Sequence, residues 1–251
     1  NLEIHMLVHP TLNVKRNVSG KLTDIALSEK DADAKKYRHE SCMHVQITSL
    51  GEEKQLRDLE RDINRVLKAV EYAVNDWRPI LDRVDKVIKD FNSSLESISK
   101  SLAGKQYERI QEQGVEIREF IEWLKNDNFV FLGFVEYKFK KSGRKSSFEL
   151  VKGSRLGILG TGDPEIEPKP SDASLDSDLI KDKELHMLDI TKANKKSLVH
   201  RPVHMDYITI RKVDKKGNLV GEYRILGMFT SIVYYQRAKL IPIIRQKIEY
   251  I

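Results

Sequence analysis

Lys192, Asn194, Ser197, His200 and Arg201 lie close together in the stretch DITKANKKSLVHRPVHMDYI, which its composition marks as a short loop between strands. Ammonium, amide, hydroxyl, imidazole and guanidinium groups are all donors, a set suited to holding a carboxylate or phosphate. The plainer alternative is a loop tied down by bonds from its own side chains to its backbone. His200 and His204 have the four-residue spacing of two metal ligands on a helix face, but Pro202 between them excludes a regular helix. His5 and His9 share the spacing on a strand that runs into Pro10. No metal site is expected at either pair.

Other candidates fare no better. Gly153, Gly157, Gly160 and Gly162 sit in GSRLGILGTGD, whose spacing is not GxGxxG. An acid- and proline-rich stretch also follows where a helix should present its N-terminus to a pyrophosphate, so the glycines are expected to make turns. Cys42 has no activating neighbour and is expected to be a packed thiol. No nucleophile elbow, P-loop or kinase signature occurs. Carboxylate pairs such as Glu52 and Glu53 lie on charged helix surface, where solvation accounts for them. No catalytic residue is therefore assigned.

The elements that must position these side chains follow from periodicity. Between Glu3 and Ser49, HMLV, TLNVKR and KLTDIAL read as short antiparallel strands, with a turn at Asn17 to Gly20. Met43, Val45 and Ile47 alternate with His44, Gln46 and Thr48 as a half-buried strand would. From Glu52 the period becomes helical, with apolar residues three and four apart from Leu56 to Leu102. Pro79 should kink or divide this helix, and Ala103-Gly104 should end it. A second helix, Tyr107 to Lys125, is stopped by Asn126-Asp127-Asn128. The last third reads as mainly β, with FVFLGFVEYKFKK opening one hairpin, Lys215 to Asn218 turning another, a mobile loop at 161–184, and a helix from about Gln236. The class is α+β. The helical stripe serves a core or, alternatively, a seam with a partner helix.

Composition excludes several classes. The chain has 251 residues, 44 Lys plus Arg against 38 Asp plus Glu, and 40% apolar residues, the make-up of an ordinary folded protein. Its one cysteine cannot form an internal disulfide, so a reducing compartment is expected. No apolar run reaches the roughly 18–20 residues of a membrane helix, and no signal-peptide layout opens the chain. The basic pairs are interleaved with acids, so neither nucleic acid nor membrane is expected as a partner. The chain stops inside KLIPIIRQKIEYI without a breaking signal, which suggests a piece of a longer protein.

TKANKKSLVHRPVHMDYITIRKVDKKGNLVGEYRILGMFTS resembles a segment of the large-subunit, NAD-specific bacterial glutamate dehydrogenases. VHPTLNVKRNVSGKL, ESCMHVQI with AVNDW, and FIEWLKNDNFVFLGFVEY agree with that family in the same order. The resemblance implies small antiparallel-sheet domains, ACT-like and PAS-like, joined by long helices. It places a partial ACT-like domain with its helix at 1–76, a helical connector at 77–127, a PAS-type domain at 128–236 and the start of a further helix at 237–251. It also implies a regulatory or assembly role without catalysis in this part, and a cytoplasmic enzyme whose NAD and glutamate are bound by a distant catalytic domain. No cofactor is expected in this region itself. The implied partners are that catalytic domain, sister subunits of a homo-oligomer and an amino-acid effector. A purely structural oligomerisation module and a free-standing small-molecule-binding protein are the alternatives.

Overall fold

The computed structural model describes residues 2–26, 36–100, 102–142, 145–163, 166, 180–181, 184–214, 216 and 218–249. By its internal contacts the chain falls into two units, Asn1–Arg61 and Asp62–Ile251. The division lies inside a continuous helix, and no break in periodicity marks it.

In the first unit, β1 (Ile4–Val8) pairs antiparallel with β5 (His44–Ile47). β2 (Thr11–Arg16) lies between β3 (Leu22–Ala26) and β4 (Arg38–Ser41). Asn17 makes the expected turn, its side-chain oxygen accepting from the backbone N–H of Ser19 and Lys21. Arg16 grips Glu40 with two bonds of 2.7 Å. This pairing holds the Glu40 carboxyl below its ordinary range. The half-buried strand expected at 43–47 differs from what is found: Met43 and Val45 are exposed, as are Ile4 and Leu7 on the partner strand. A two-stranded ladder is too small to bury its own apolar side chains. Cys42 is exposed too, where a packed thiol was expected.

The long apolar period produces one helix, α1 (Glu53–Ser99), with Pro79 inside it. Pro79 and Asn75, whose carbonyl loses its donor, are both exposed, so water can take the vacant bond. α2 (Gly104–Trp123) follows, then a wide turn at Leu124–Asn128 in which Asp127 takes φ 57°. Asn128 closes this turn by donating to the Trp123 carbonyl at 2.8 Å.

The second unit is built on a six-stranded antiparallel sheet. β6 (Phe129–Ser142) pairs with β7 (Lys145–Leu150), β8 (Leu156–Gly157) and β13 (Leu219–Phe229), while β12 (His204–Val213) joins β13 to the edge strand β11 (Leu188–Lys196). One face packs Phe134, Ile208 and Ile225 against Ile80, Val84 and Phe91 of α1 and Ile110, Ile117 and Ile121 of α2. The other packs Leu132, Tyr207, Leu226 and Met228 with Ile158, Leu159 and the small residues Ala69 and Ala73 of α1. Thus the N-terminal half of α1 buries alanines and leaves the expected stripe residues Ile63, Val70, Val74 and Trp77 exposed.

Two expectations at the end of the chain need correction. Within 161–184, β9 (Ile180–Lys181) and β10 (Glu184–Leu185) form a short ladder, and 164–165, 167–179 and 182–183 lie outside the described residues. No helix starts at Gln236. Single turns at Ser231–Tyr235 and Ala238–Leu240 precede α3 (Ile244–Glu249). Pro242 is the cause, because it forces Ile241 into extended backbone at φ −94° and ψ 115°.

Candidate functional site

The segment from Lys195 to Met205 joins β11 to β12 through a turn that its own sequence locks. The Ser197 hydroxyl donates to the Val199 carbonyl at 2.7 Å and accepts from the Val199 N–H at 3.1 Å. Ser197 N–H donates to Val203 O at 2.9 Å, and Val203 N–H donates to Arg201 O at 2.8 Å. His200 takes φ 71°, and Pro202 needs no backbone partner. The turn is therefore fixed before any ligand arrives.

Against this turn lies a cavity of about 130 Å³. Its floor is apolar, formed by Ile158, Ile166, Leu198, Val199 and Met205. Its rim carries Arg65 and Lys68 of α1 and Lys195 and Lys196 of β11. Lys195 pairs with Asp163 at 2.7 Å. Among the described residues Arg65, Lys68 and Lys196 make no ion pair. The first turn after β8 supplies the floor, and Gly157 is what lets it approach. At φ 62° Gly157 donates its N–H to the Asp76 carboxylate at 2.7 Å, and a Cβ there would stand 2.1 Å from the Leu132 carbonyl oxygen. All these residues belong to the second unit.

The donors first singled out are divided by this geometry. Lys192 lies within β11 and pairs with the buried Asp206 at 2.7 Å. Asn194 is exposed on the same strand, with Ala193 between them buried in the opposite face. Ser197 is consumed by its own turn, and His200 points no bond into the cavity among the described residues. Arg201 donates to the Phe229 carbonyl at 2.5 Å, while its Nε is buried without a partner among the described residues. Sequence reasoning missed Arg65 and Lys68, which read as ordinary charged helix surface. In the sequence Lys195 and Lys196 count only among the basic pairs that could meet nucleic acid, although their doubled charge beside the turn is the available signal.

Two polar networks flank the sheet. On the cavity's face, Glu222 is fully buried and bonds through one oxygen to Arg224 at 2.6 Å, while its second oxygen has no partner among the described residues. Burial pushes its carboxyl up, and Arg224 and Arg211 partly oppose the shift. On the helix-covered face, the Tyr223 hydroxyl donates to Asp90 and accepts from Lys86 at 3.2 Å. Burial and Asp90 push that hydroxyl far up, so it stays protonated. Lys212 lies 4.5 Å from the same ring and pairs with Glu136 at 2.5 Å. Among the described residues no group of three acidic, histidine or cysteine side chains could hold a metal ion, and no helix is long and apolar enough to cross a membrane.

Comparison with known proteins ties this architecture to a family. Residues 1–63 match the family described as glutamate dehydrogenase, ACT1 domain, which coincides closely with the first structural unit. An NAD-specific glutamate dehydrogenase of Halomonas elongata is 28% identical over 249 residues, covering 99% of this chain and 15% of that protein. The NAD-specific glutamate dehydrogenase of Pseudomonas aeruginosa is 32% identical over 254 residues, covering 98% of this chain and 14% of that protein. The similarity thus runs through both units while spanning a small share of the relatives' length. With an ACT1-domain match over the first unit and similarity continuing through the second, the chain resembles, over nearly its whole length, a part of the NAD-specific glutamate dehydrogenases.

Proposed function

We propose that this chain is a non-catalytic regulatory and assembly region of an NAD-specific glutamate dehydrogenase. The intact cytoplasmic enzyme would interconvert L-glutamate, water and NAD with 2-oxoglutarate, ammonium and NADH, binding NAD in a catalytic domain beyond this region. The match of residues 1–63 to an ACT1 domain carries this reading. The antiparallel sheet over 129–229, with α1 and α2 packed on one face and the first half of α1 reaching the other, supports a PAS-type module in the second unit. The 189–208 segment is its sensing element: Ser197 and Arg201 hold the turn, and Lys192, Asn194 and His200 complete its polar surface. Coupling to the active site requires an effector, such as an amino acid, that prefers one arrangement of the domains. The test compares the intact enzyme with a version lacking this region. Retained turnover with loss of effector response is the expected result, and catalytic groups supplied by this region would instead abolish turnover in a folded truncation.

A second reading, a purely structural role in a homo-oligomer, is favoured by one feature. Leu56, Ile63, Val70 and Trp77 recur every seven residues along α1 and are all exposed. Light scattering of the chain at rising concentration checks it, because a stripe used as a seam makes the mass rise.

A further inference from the structure

We propose that the cavity between α1 and the 197–203 turn binds a small organic acid, its carboxylate held by Arg65, Lys68 and Lys196 and its apolar body inserted onto the floor. The proposal rests on the regulatory reading above and narrows its effector from an amino acid to an acid without the α-ammonium.

Charge gives the first part of the ligand. Three cations converge on one mouth without an ion pair among the described residues, whereas the fourth, Lys195, is already held by Asp163 at 2.7 Å. Like charges gathered around a concave site repel one another, and an anion placed among them relieves that repulsion. Engagement of Asp163 with Lys195 gives the second part. The carboxylate that could receive an ammonium is occupied, so the site favours an acid lacking the α-ammonium over an amino acid.

The floor and the volume set the body. Ile158, Leu198, Val199 and Met205 offer only apolar surface, which suits a branched or aromatic end. A void of about 130 Å³ is close to the ~150 Å³ that accommodates benzene in an engineered protein cavity, so the body has about six carbons or fewer. The turn is fixed by Ser197 and Val203, so little ordering is lost on binding.

The experiment uses 4-methylpentanoate and its neutral isostere 4-methylpentanamide, titrated calorimetrically into this chain, into Arg65→Gln/Lys68→Gln, and into Val199→Trp. Circular dichroism establishes that each variant is folded. Single-site binding of the acid is expected, with the amide and the double variant each weaker by about tenfold or more, since charge-assisted bonds are lost. Val199→Trp fills the floor and should abolish binding. Equal binding of acid and amide, undiminished binding by the double variant, or no saturable binding of the acid to the unmodified chain would overturn the proposal. None of these outcomes touches the broader regulatory reading, which the truncated enzyme tests separately through its effector response.

Discussion

Replacing Gly157 by Ala probes the junction where α1, β8 and the cavity floor meet. The perturbation has two separable parts. Gly157 adopts φ 62° and ψ −146°, a region that side-chain-bearing residues enter at a cost of about 1–3 kcal/mol. The added Cβ would also stand 2.1 Å from the Leu132 carbonyl oxygen and 3.0 Å from Ile80 Cδ1, so backbone must move by about an ångström. Overpacking of that kind adds about 1–3 kcal/mol, giving about 4 kcal/mol in all. Gly153→Ala is the matched control: Gly153 has φ 74°, but a Cβ there meets nothing within 4 Å, so only the backbone cost of about 1–2 kcal/mol applies. For a chain of this length each kcal/mol moves the melting midpoint by roughly 2–4 °C, so Gly157→Ala should lower it by roughly 8–16 °C and Gly153→Ala by roughly 2–8 °C. Both tryptophans, Trp77 and Trp123, lie in the second unit, so their fluorescence reports its unfolding without the first. If the two variants melt together, the close approach to Leu132 does not hold the junction and the account of Gly157 is wrong.

The buried network makes a pH prediction. Because burial raises the Glu222 carboxyl above its ordinary 4.5, the folded chain holds that proton more tightly than the unfolded chain. The stability this contributes is fully present below 4.5 and is lost as pH rises through the folded value. Glu222→Gln cannot titrate, so urea midpoints of the natural chain should fall relative to the variant between acid and neutral pH. A constant difference across that range would contradict the shift. Tyr223→Phe removes the hydroxyl between Asp90 and Lys86 and should destabilise by about 1 kcal/mol, read as a fall of roughly 2–4 °C in the same fluorescence melt. An unchanged or raised midpoint would show that the hydroxyl contributes nothing net.

What periodicity and turn chemistry govern was legible in the sequence: the strands and turn around Asn17, the helical period that runs through α1, the stop at Asn126 to Asn128, and the hairpin from β12 to β13. Each is decided by residues within a few positions of one another. The resemblance in TKANKKSLVHRPVHMDYI and its companions located the family as well. The buried side of α1 was not legible, because Ala69 and Ala73 are too small to register beside Val70 and Val74. Their small size is what lets the helix lie close to Ile158 and Leu159. Nor was the phase of β6: a register shift between Leu226 and Gly227 on its partner lets Phe129 and then Phe134 face the helices although they are five apart. Pro242 is visible in the sequence, but the apolar period around it imitates a helix that the proline forbids. The cavity is the clearest case of tertiary decision. Arg65 and Lys196 are separated by most of the second unit in sequence, and only the packing of α1 against the far face of the sheet brings both to one mouth. Local rules choose elements, whereas a site made of distant side chains is set by which faces those elements bury against each other.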